Sequence, residues 1–271
     1  MPRPFYWEDM TTEDFASVDP ETIAILPIAA TEQHGPHLPV ATDSAISVGM
    51  IELLRDRLPV DISVLVLPHQ KIGKSNEHML GPGTLTLDPK LLISAWGDIG
   101  AAVYRTGLRK ILIVNSHGGN NAIMDIVARE LRVRFSMLAV ATQWSRFGTP
   151  AGLIDDEEKR YGIHAGKVET SLMLHFRPDL VRMEKTRNFA SATRWMEATF
   201  KHLRATGQHN MGWIIHDMNR DGAVGDAAAG TSEIGSAIAG HQVSECIELL
   251  KDMNRFDLGK LATAQSADCK F

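Results

Sequence analysis

The sequence lacks most of the features that mark membrane, secreted or nucleic-acid-binding proteins. Its 271 residues contain no run of about eighteen apolar residues that could span a bilayer, which excludes a membrane protein. The first ten residues, MPRPFYWEDM, lack the continuous apolar segment of a secretory signal. The net charge is -5 and the basic residues are scattered, which argues against a nucleic-acid partner. These absences favour a cytoplasmic protein that acts on a small molecule.

Cysteines, repeats and phosphate-binding glycine motifs are also scarce or absent. The two cysteines, Cys246 and Cys269, have no CxxC spacing, and we expect both to be free thiols, one in a helix and one in a tail. Neither GxGxxG nor GxxxxGK[ST] is present, so little supports a phosphate-binding loop. No internal repeat, low-complexity tract or linker divides the chain. We therefore expect one domain over residues 1–271.

Strand-like and helix-like segments alternate along the chain. The strand-like apolar runs cover 22–30, 62–68, 110–115 and 136–142. The helix-like segments cover 44–58, 89–106, 120–134, 167–175 and 232–253. Such alternation is typical of a parallel sheet covered by helices. We predict an α/β protein with three layers, α/β/α, and no assignable element between 189 and 230.

The first cluster of chemistry-bearing residues is TEQHGPHLPVATD, directly after the first predicted strand. It holds Glu32, His34, His37 and Asp43 within twelve residues. Glu32 and His34 are two apart, so both project to one side of an extended backbone. Asp43 is explained equally well as the N-cap of the following helix, and His37 as a structural residue. Open α/β sheets bind ligands at the carboxyl ends of their strands, so the cluster predicts a metal site at that edge.

Two further clusters are expected at the same edge. His117 lies in VNSHGGNN, where Gly118 and Gly119 permit close backbone approach and the following helix start favours an anion or oxyanion. His164 and Glu169 lie in IHAGKVETS, at a predicted loop-to-helix junction. Either of these two residues alone would more often be a surface or capping residue. They are candidates for the site because their segment, like the first cluster, is expected at this edge of the sheet.

A fourth segment, GKSNEHMLGPGTLT, follows the second predicted strand and suggests a wall of the site, although a plain polar loop explains it equally well. Its polar side chains include Ser75, Glu77 and His78. Aromatic residues that could close over a small ring are Trp144, Trp195 and Trp213. Core packing would account for a tryptophan just as well.

Together the motifs TEQHGPHLPVATD, SNEHMLGPGTLTL, NSHGGNN and HAGKVETS resemble those of the creatininase, or creatinine amidohydrolase, family. They span residues 25–171 in the family order, with a weaker echo in GAVGD at 222–226. The resemblance implies an α/β fold with a mainly parallel sheet. It also implies two divalent metal ions per subunit, zinc or manganese with iron possible, hydrolysis of a C–N amide bond, and a homohexamer.

The resemblance also implies roles for individual residues. Asp43 matches a ligand that bridges two ions, and the other matching ligands are Glu32, His34 and His117. Glu169 would complete the second metal and take part in catalysis, and His164 matches a proton shuttle. We expect the substrate to contact Ser75, His78, Gly118, Gly119, Asn120 and Trp144.

Two departures from creatininase weaken creatinine as the substrate. Gly119 and Ile163 each stand where creatininase has a glutamate, and the HGGN form resembles relatives that act on formamides or on peptides of cofactor pathways. The sequence thus predicts a metal-dependent amidohydrolase that opens a non-peptide C–N bond, in a cyclic amide or formamide, with a metal-activated bridging water. Two alternatives stay open: metal-dependent ring opening of a sugar-like or keto substrate, and a non-catalytic metal-binding homologue.

Overall fold

A four-stranded parallel sheet organises the computed structural model, which describes residues 4–262. Its strands stand in the order β2-β1-β3-β4. In register, Ile28 at the end of β1 lies beside Asn115 of β3, and Asn115 lies beside Gln143 of β4. Three strands therefore end level, at one edge of the sheet. The strands are β1 (Ile23–Ile28), β2 (Val64–Val66), β3 (Lys110–Asn115) and β4 (Leu138–Gln143).

Helices connect the strands, and the five expected from the sequence are confirmed with ends within two residues. In α3 the expected start is seen directly, because the Asp88 side chain accepts a hydrogen bond from the Lys90 amide and Pro89 occupies the first turn. Cys246 is a buried free thiol in the last helix, whereas Cys269 lies outside the described residues. The helices are α1 (Thr12–Ala16), α2 (Thr42–Arg57), α3 (Pro89–Arg105), α4 (Asn121–Phe135), α5 (Asp156–Tyr161), α6 (Lys167–Phe176), α7 (Trp195–Thr199), α8 (Ile215–Met218) and α9 (Ser232–Arg255).

The two faces of the sheet carry separate apolar cores. Successive strand residues point to opposite faces, so Ile23 and Ile25 pack with α2, α6 and α9. Ala24 and Leu26 pack on the other face against α3 and α4. Both faces are covered, as expected for a parallel sheet. The three-layer α/β/α prediction is confirmed.

Residues 188–226, most of which matched no predicted element, form a small subdomain of short pieces. Strand β5 (Asn188–Phe189) pairs antiparallel with β6 (Gly225–Asp226), and α7 and α8 lie between them. The longest of these pieces has five residues, too few to show a hydrophobic period. His164 and Val224 exchange two backbone hydrogen bonds of 3.3 and 2.7 Å, which tie this region to the HAG loop. Within residues 4–262 no helix is both long and apolar enough to cross a membrane.

Candidate metal centre

The five predicted ligands come together at the carboxyl edge of the sheet. Glu32 and His34 follow β1, His117 follows β3, and Asp43 and Glu169 lie in the first turns of α2 and α6. His34 Nε2 is 3.4 Å from Asp43 Oδ1 and 3.7 Å from Glu169 Oε2. His117 Nδ1 is 3.2 Å from Glu32 Oε1 and 3.3 Å from Asp43 Oδ2. Residues up to 137 positions apart in sequence thus meet in one cluster.

The cluster contains two ligand groups that share one residue. Glu32, Asp43 and His117 form the first group, and His34, Asp43 and Glu169 form the second; within each, the candidate ligand atoms lie within 4.8 Å of one another. Asp43 is not the N-cap of α2, because the helix begins at Thr42 and its N-cap residue is Ala41, which makes no side-chain cap bond. His164 joins Glu32 and His34 in a third possible group.

Three buried atoms in the cluster have no hydrogen-bond partner: Glu32 Oε2, His34 Nε2 and Asp43 Oδ2. Buried polar atoms are almost always partnered, so each exception calls for an explanation such as an ion. Mixed imidazole and carboxylate donors suit zinc, manganese or iron(II). The residues therefore fit divalent cations.

The charges of the cluster are arranged around the two imidazoles. Burial alone would lower the pKa of His34, but the carboxylates of Asp43 and Glu169 outweigh it and raise that pKa to about 10. Burial likewise opposes a charge on His117, yet Glu32 and Asp43 raise its pKa well above the usual value. Protons on these rings balance the carboxylates, and a divalent cation would replace those protons on binding.

Two of the three acidic ligands have pKa values that are shifted in opposite directions. Burial would raise the pKa of Asp43, but His34 and His117 hold it well below its usual range. Burial raises the pKa of Glu169 to about 7, with His34 acting against the shift and Asp43 adding to it. Asp43 thus stays ionised near neutrality, while Glu169 lies close to its titration point.

Backbone carbonyls fix which nitrogen each ligand histidine presents. His34 Nδ1 lies 3.0 Å from the Glu32 carbonyl oxygen, and His117 Nε2 lies 2.9 Å from the Lys74 carbonyl oxygen. A carbonyl only accepts hydrogen bonds, so these nitrogens carry the hydrogen in the neutral rings. His34 then directs a lone pair from Nε2, and His117 one from Nδ1, toward the carboxylates. This is how metal-binding histidines are usually held.

Gln33 orients two further histidines in opposite ways. His164 Nε2 donates to the Gln33 carbonyl oxygen at 2.8 Å, so its Nδ1 lone pair faces Glu32 Oε1 at 3.7 Å. The Gln33 side-chain amide donates to His78 Nδ1 at 2.9 Å and to the Gly222 carbonyl oxygen at 2.8 Å. His78 therefore carries its hydrogen on Nε2, 3.5 Å from the same Glu32 oxygen.

Both of these histidines are held neutral. Burial, reinforced by charge on His34, places the pKa of His164 well below the ordinary value. Burial and charge on His34 and His117 lower the pKa of His78 to about 3. The site thus receives one imidazole lone pair and one imidazole N–H. Sequence reasoning missed Gln33, because an uncharged amide between two ligands gives no sign of the distant histidines that it contacts.

Glu158 is a second residue that the sequence did not reveal. It ends an acidic run that suggests the surface, yet it is buried, and its carboxylate accepts hydrogen bonds from the amides of Lys167 and Asp226 at 2.6 and 2.8 Å. A Cβ at Gly166 would lie 2.4 Å from its Oε1, so the HAG loop packs directly on this carboxylate. Glu158 thereby fixes the loop that carries His164.

A cavity of about 380 Å³ opens over the cluster. Of the six residues expected to contact substrate, His78, Gly118 and Gly119 line this cavity and the other three do not. Gln143 and Trp213 also line it. Three corrections follow from where the remaining side chains lie. Ser75 is buried behind His117, Asn120 donates to the Ala29 carbonyl oxygen inside the fold, and Trp144 packs in the core with α9.

His37, the uncertain member of the first cluster, points away from the carboxylates. Its Nε2 lies 3.0 Å from Thr170 Oγ1, and its ring stacks on Phe189 with centroids 5.3 Å apart. It is buried and packs as a structural residue.

Glu77 takes the space that a side chain at position 119 would need. A Cβ on Gly119 would lie 2.3 Å from Glu77 Oε1 and 2.4 Å from His117 Nε2. Glu77 lines the cavity and pairs with Lys74 Nζ at 2.7 Å. The cavity therefore has a carboxylate on this side although residue 119 is a glycine.

Comparison with known proteins finds a matching family model and several similar proteins. The family model described as Creatininase: Creatinine amidohydrolase matches residues 8–250. A mycofactocin precursor peptide peptidase of Mycolicibacterium smegmatis is 28% identical over 84% of this chain and 84% of its own. A creatinine amidohydrolase of Pseudomonas putida is 29% identical over 64% of this chain and 71% of its own. A 3-dehydro-scyllo-inosose hydrolase of Thermotoga maritima is 24% identical over 68% of this chain and 60% of its own.

Solved structures share the fold. A crystal structure from Bacteroides fragilis, described there as a creatinine amidohydrolase, superposes with a TM-score of 0.74 at 24% identity, covering 95% of this chain and 99% of that one. A manganese creatininase superposes with a TM-score of 0.74 at 21% identity, covering 93% of this chain and 100% of that one. A mutant creatininase of the Zn-Zn type superposes with a TM-score of 0.72 at 22% identity, covering 92% of this chain and 98% of that one.

Proposed function

The chain belongs to the creatininase family, whose members are hydrolases, and from that premise we propose that it hydrolyses a C–N amide bond with divalent metal ions. The observation that carries this proposal is the position of Asp43, shared by two three-ligand groups that also contain unpartnered buried atoms. We propose cyclic amides, formamides and short peptide-like amides as the substrate class. The peptidase among the relatives supports the last of these.

We assign two ions per subunit, zinc or manganese with iron possible. Glu32, Asp43 and His117 would hold one ion, and His34, Asp43 and Glu169 the other. Bound there, such ions polarise a carbonyl oxygen and make hydroxide available near neutral pH. The manganese and Zn-Zn creatininase structures support this choice of metals.

We assign the transfer of the proton to His164. Its Nδ1 lone pair faces the carboxylate cluster, and Gln33 holds its other nitrogen, so it can take a proton from the attacking water at Nδ1. The same atom can then return that proton to the leaving nitrogen. We also assign Glu169 a part in catalysis, since as a ligand of the second ion it would help to hold that ion beside the attacking water.

The other cavity residues would orient the substrate. His78 offers an N–H beside Glu32, and the backbone amides at Gly118 and Gly119 begin a short helical turn whose first N–H groups have no partner within the turn. Such donors stabilise the negative charge that develops on a carbonyl oxygen under attack.

A second candidate is ring opening of a sugar-like keto substrate, as the name of the Thermotoga maritima hydrolase suggests. The two reactions differ in their products, because amide hydrolysis releases an amine, ammonia or formate and the alternative releases none. The third possibility, a non-catalytic metal-binding homologue, would bind ions without any turnover.

The test is metal analysis combined with a substrate screen. We expect purified protein to contain divalent metal, and we expect amine or formate release from cyclic amides, formamides or short peptides when manganese or zinc is supplied. Chelator and the Asp43→Asn variant should both abolish that release. Metal-free protein, or amide cleavage indifferent to the chelator and the variant, would contradict the proposal.

We further propose a homohexamer, one catalytic domain over residues 1–271, and a cytoplasmic location. Support for self-association comes from the loop that carries Glu77 and His78 and from the start of α3, where apolar side chains face outward. The exposed fractions of Met79, Leu80 and Leu85 in the loop and of Leu91 in α3 are 51–64%. Burial of such side chains against another copy would be favourable. A mass close to that of a single chain in light scattering would contradict the hexamer.

A further inference from the structure

A second and larger cavity adjoins the one over the metal centre. Its volume is about 610 Å³, against about 380 Å³ for the catalytic cavity. The two share four lining residues, namely Ile163, Ala205, Thr206 and Gly207. Thr206 and Gly207 are partly or fully exposed, so the shared wall reaches the surface. A substrate longer than one small ring would extend from the catalytic cavity into this outer cavity.

The outer cavity has both apolar and charged walls. Ile163, Ala205 and Met218 give it an apolar side, and the ring of Tyr161 lies among them. Its charged side chains are Asp156, Lys159, Arg160, Glu197 and Arg204. The cations exceed the anions by one, since three basic residues face two acidic ones. The apolar wall can bury a hydrocarbon side chain, while the excess cation favours an anionic group.

The pairing of these charges identifies Arg204 as that excess cation. Lys159 lies 3.2 Å from Asp156, and Arg160 lies 3.1 Å from Glu197. Arg204 pairs with no carboxylate of residues 4–262; its Nη1 donates to the carbonyl oxygens of Phe200 and Leu203, each at 2.8 Å. Those bonds fix the guanidinium through one nitrogen and leave Nε–H and Nη2–H as a pair of donors. Two parallel donors of this kind match the two oxygens of a carboxylate.

We propose that the outer cavity is a substrate subsite that binds an apolar residue ending in a carboxylate, with Arg204 as its anchor. The substrate class is then an N-acyl amino acid or the carboxyl end of a short peptide, whose amide bond lies over the metal centre. This inference rests on the proposed amide hydrolysis. It adds the subsite, the chemistry of its occupant and the residue that selects it.

Calorimetric binding of two matched compounds tests the subsite. N-acetyl-leucine and N-acetyl-leucinamide have the same apolar body and differ only in carboxylate against neutral amide. We expect the purified protein to bind the carboxylate about fivefold more tightly, near the upper limit for a partly exposed ion pair. Arg204→Gln should reduce that ratio to about one, and Arg204→Lys should retain part of it, because the charge stays while the paired donors are lost.

Arg194→Gln is the matched control. It removes the same charge from a neighbouring arginine that pairs with Glu157 and does not line the outer cavity, so it should leave the ratio unchanged. Equal binding of the two compounds by the unaltered protein, no binding of either, or a preference that survives Arg204→Gln would overturn the subsite. Amide cleavage of both compounds is assayed separately, so that heat from turnover can be subtracted from heat of binding. A failure of the amidase proposal would then show as discrimination between the two compounds without amide cleavage.

Discussion

Replacement of Asp43 by asparagine is the sharpest perturbation of the proposed centre. The substitution keeps the size of the side chain and removes one anionic oxygen from a residue that is 1% exposed. Asp43 belongs to both ligand groups, whereas Glu169 belongs to one of them. We therefore expect Asp43→Asn to lose both ions, and Glu169→Gln to keep about half of the metal content of the unaltered protein.

The same logic sets the size of the effect on stability. A ligand present at a hundred times its dissociation constant stabilises the folded state by about 2.7 kcal/mol. In a chain of this length, 1 kcal/mol moves the melting temperature by about 2–4 °C. Saturation of even one site should thus raise the Tm of the unaltered protein by about 5–10 °C. Asp43→Asn should show little of this response, because its ligand groups are both incomplete.

The assay pairs elemental analysis with thermal melts in the presence of metal and of chelator. Asp179→Asn is a suitable control, since Asp179 is an exposed residue that pairs with Arg177 and belongs to none of the ligand groups. It should match the unaltered protein in metal content and in the shift of Tm. The reasoning would be refuted if Asp43→Asn kept the full metal content of the unaltered protein. It would also be refuted if chelator did not change the melting temperature of the unaltered protein.

Two further results are expected. His164→Ala should keep its metal and lose turnover by about 10²- to 10⁴-fold, as for removal of a positioned acid-base group; loss of metal would make His164 a ligand instead, and unchanged turnover would remove it from the mechanism. Burial, aided by Lys71, lowers the pKa of His69 to about 4, so the stability that neutral His69 contributes above pH 6.5 is lost as the pH falls toward 4. His69→Gln should accordingly flatten the fall in urea stability between pH 6.5 and 4, and an unchanged slope would show that His69 does not cause it.

The residues predicted as ligands lie close together because of how parallel sheets are built. The carboxyl ends of neighbouring parallel strands meet at one edge, so motifs after β1 and β3 converge whatever their separation along the chain. Asp43 and Glu169 follow the same logic, since each lies in the first turn of a helix that packs on that sheet face. Local pattern and topology bring these segments together, whereas the roles of Asp43 and Glu169 as ligands are implied by the resemblance to the creatininase family.

The walls of the site could not be predicted in this way. Gln143 lines the catalytic cavity and Trp144, the next residue, turns into the core. Consecutive side chains at a strand end point to opposite sides, so a shift of one position decides which of them faces the site. Ala205, Thr206 and Trp213 lie between α7 and α8, outside any helix or strand, so no periodicity marks their positions. Their positions follow from tertiary contacts such as the pairing of His164 with Val224.

Each of the two departures from creatininase has its own explanation in the structure. Gly119 admits the Glu77 carboxylate beside His117, so negative charge is kept in the cavity while its source moves to a different loop. Ile163 replaces a charged residue in the wall between the two cavities and makes that wall apolar. A glutamate at 163 would place an anion between the metal centre and Arg204, where it would repel a carboxylate-bearing substrate and compete for the guanidinium. For the proposed substrate class, a longer amide that carries a carboxylate, isoleucine at position 163 is therefore more favourable than glutamate.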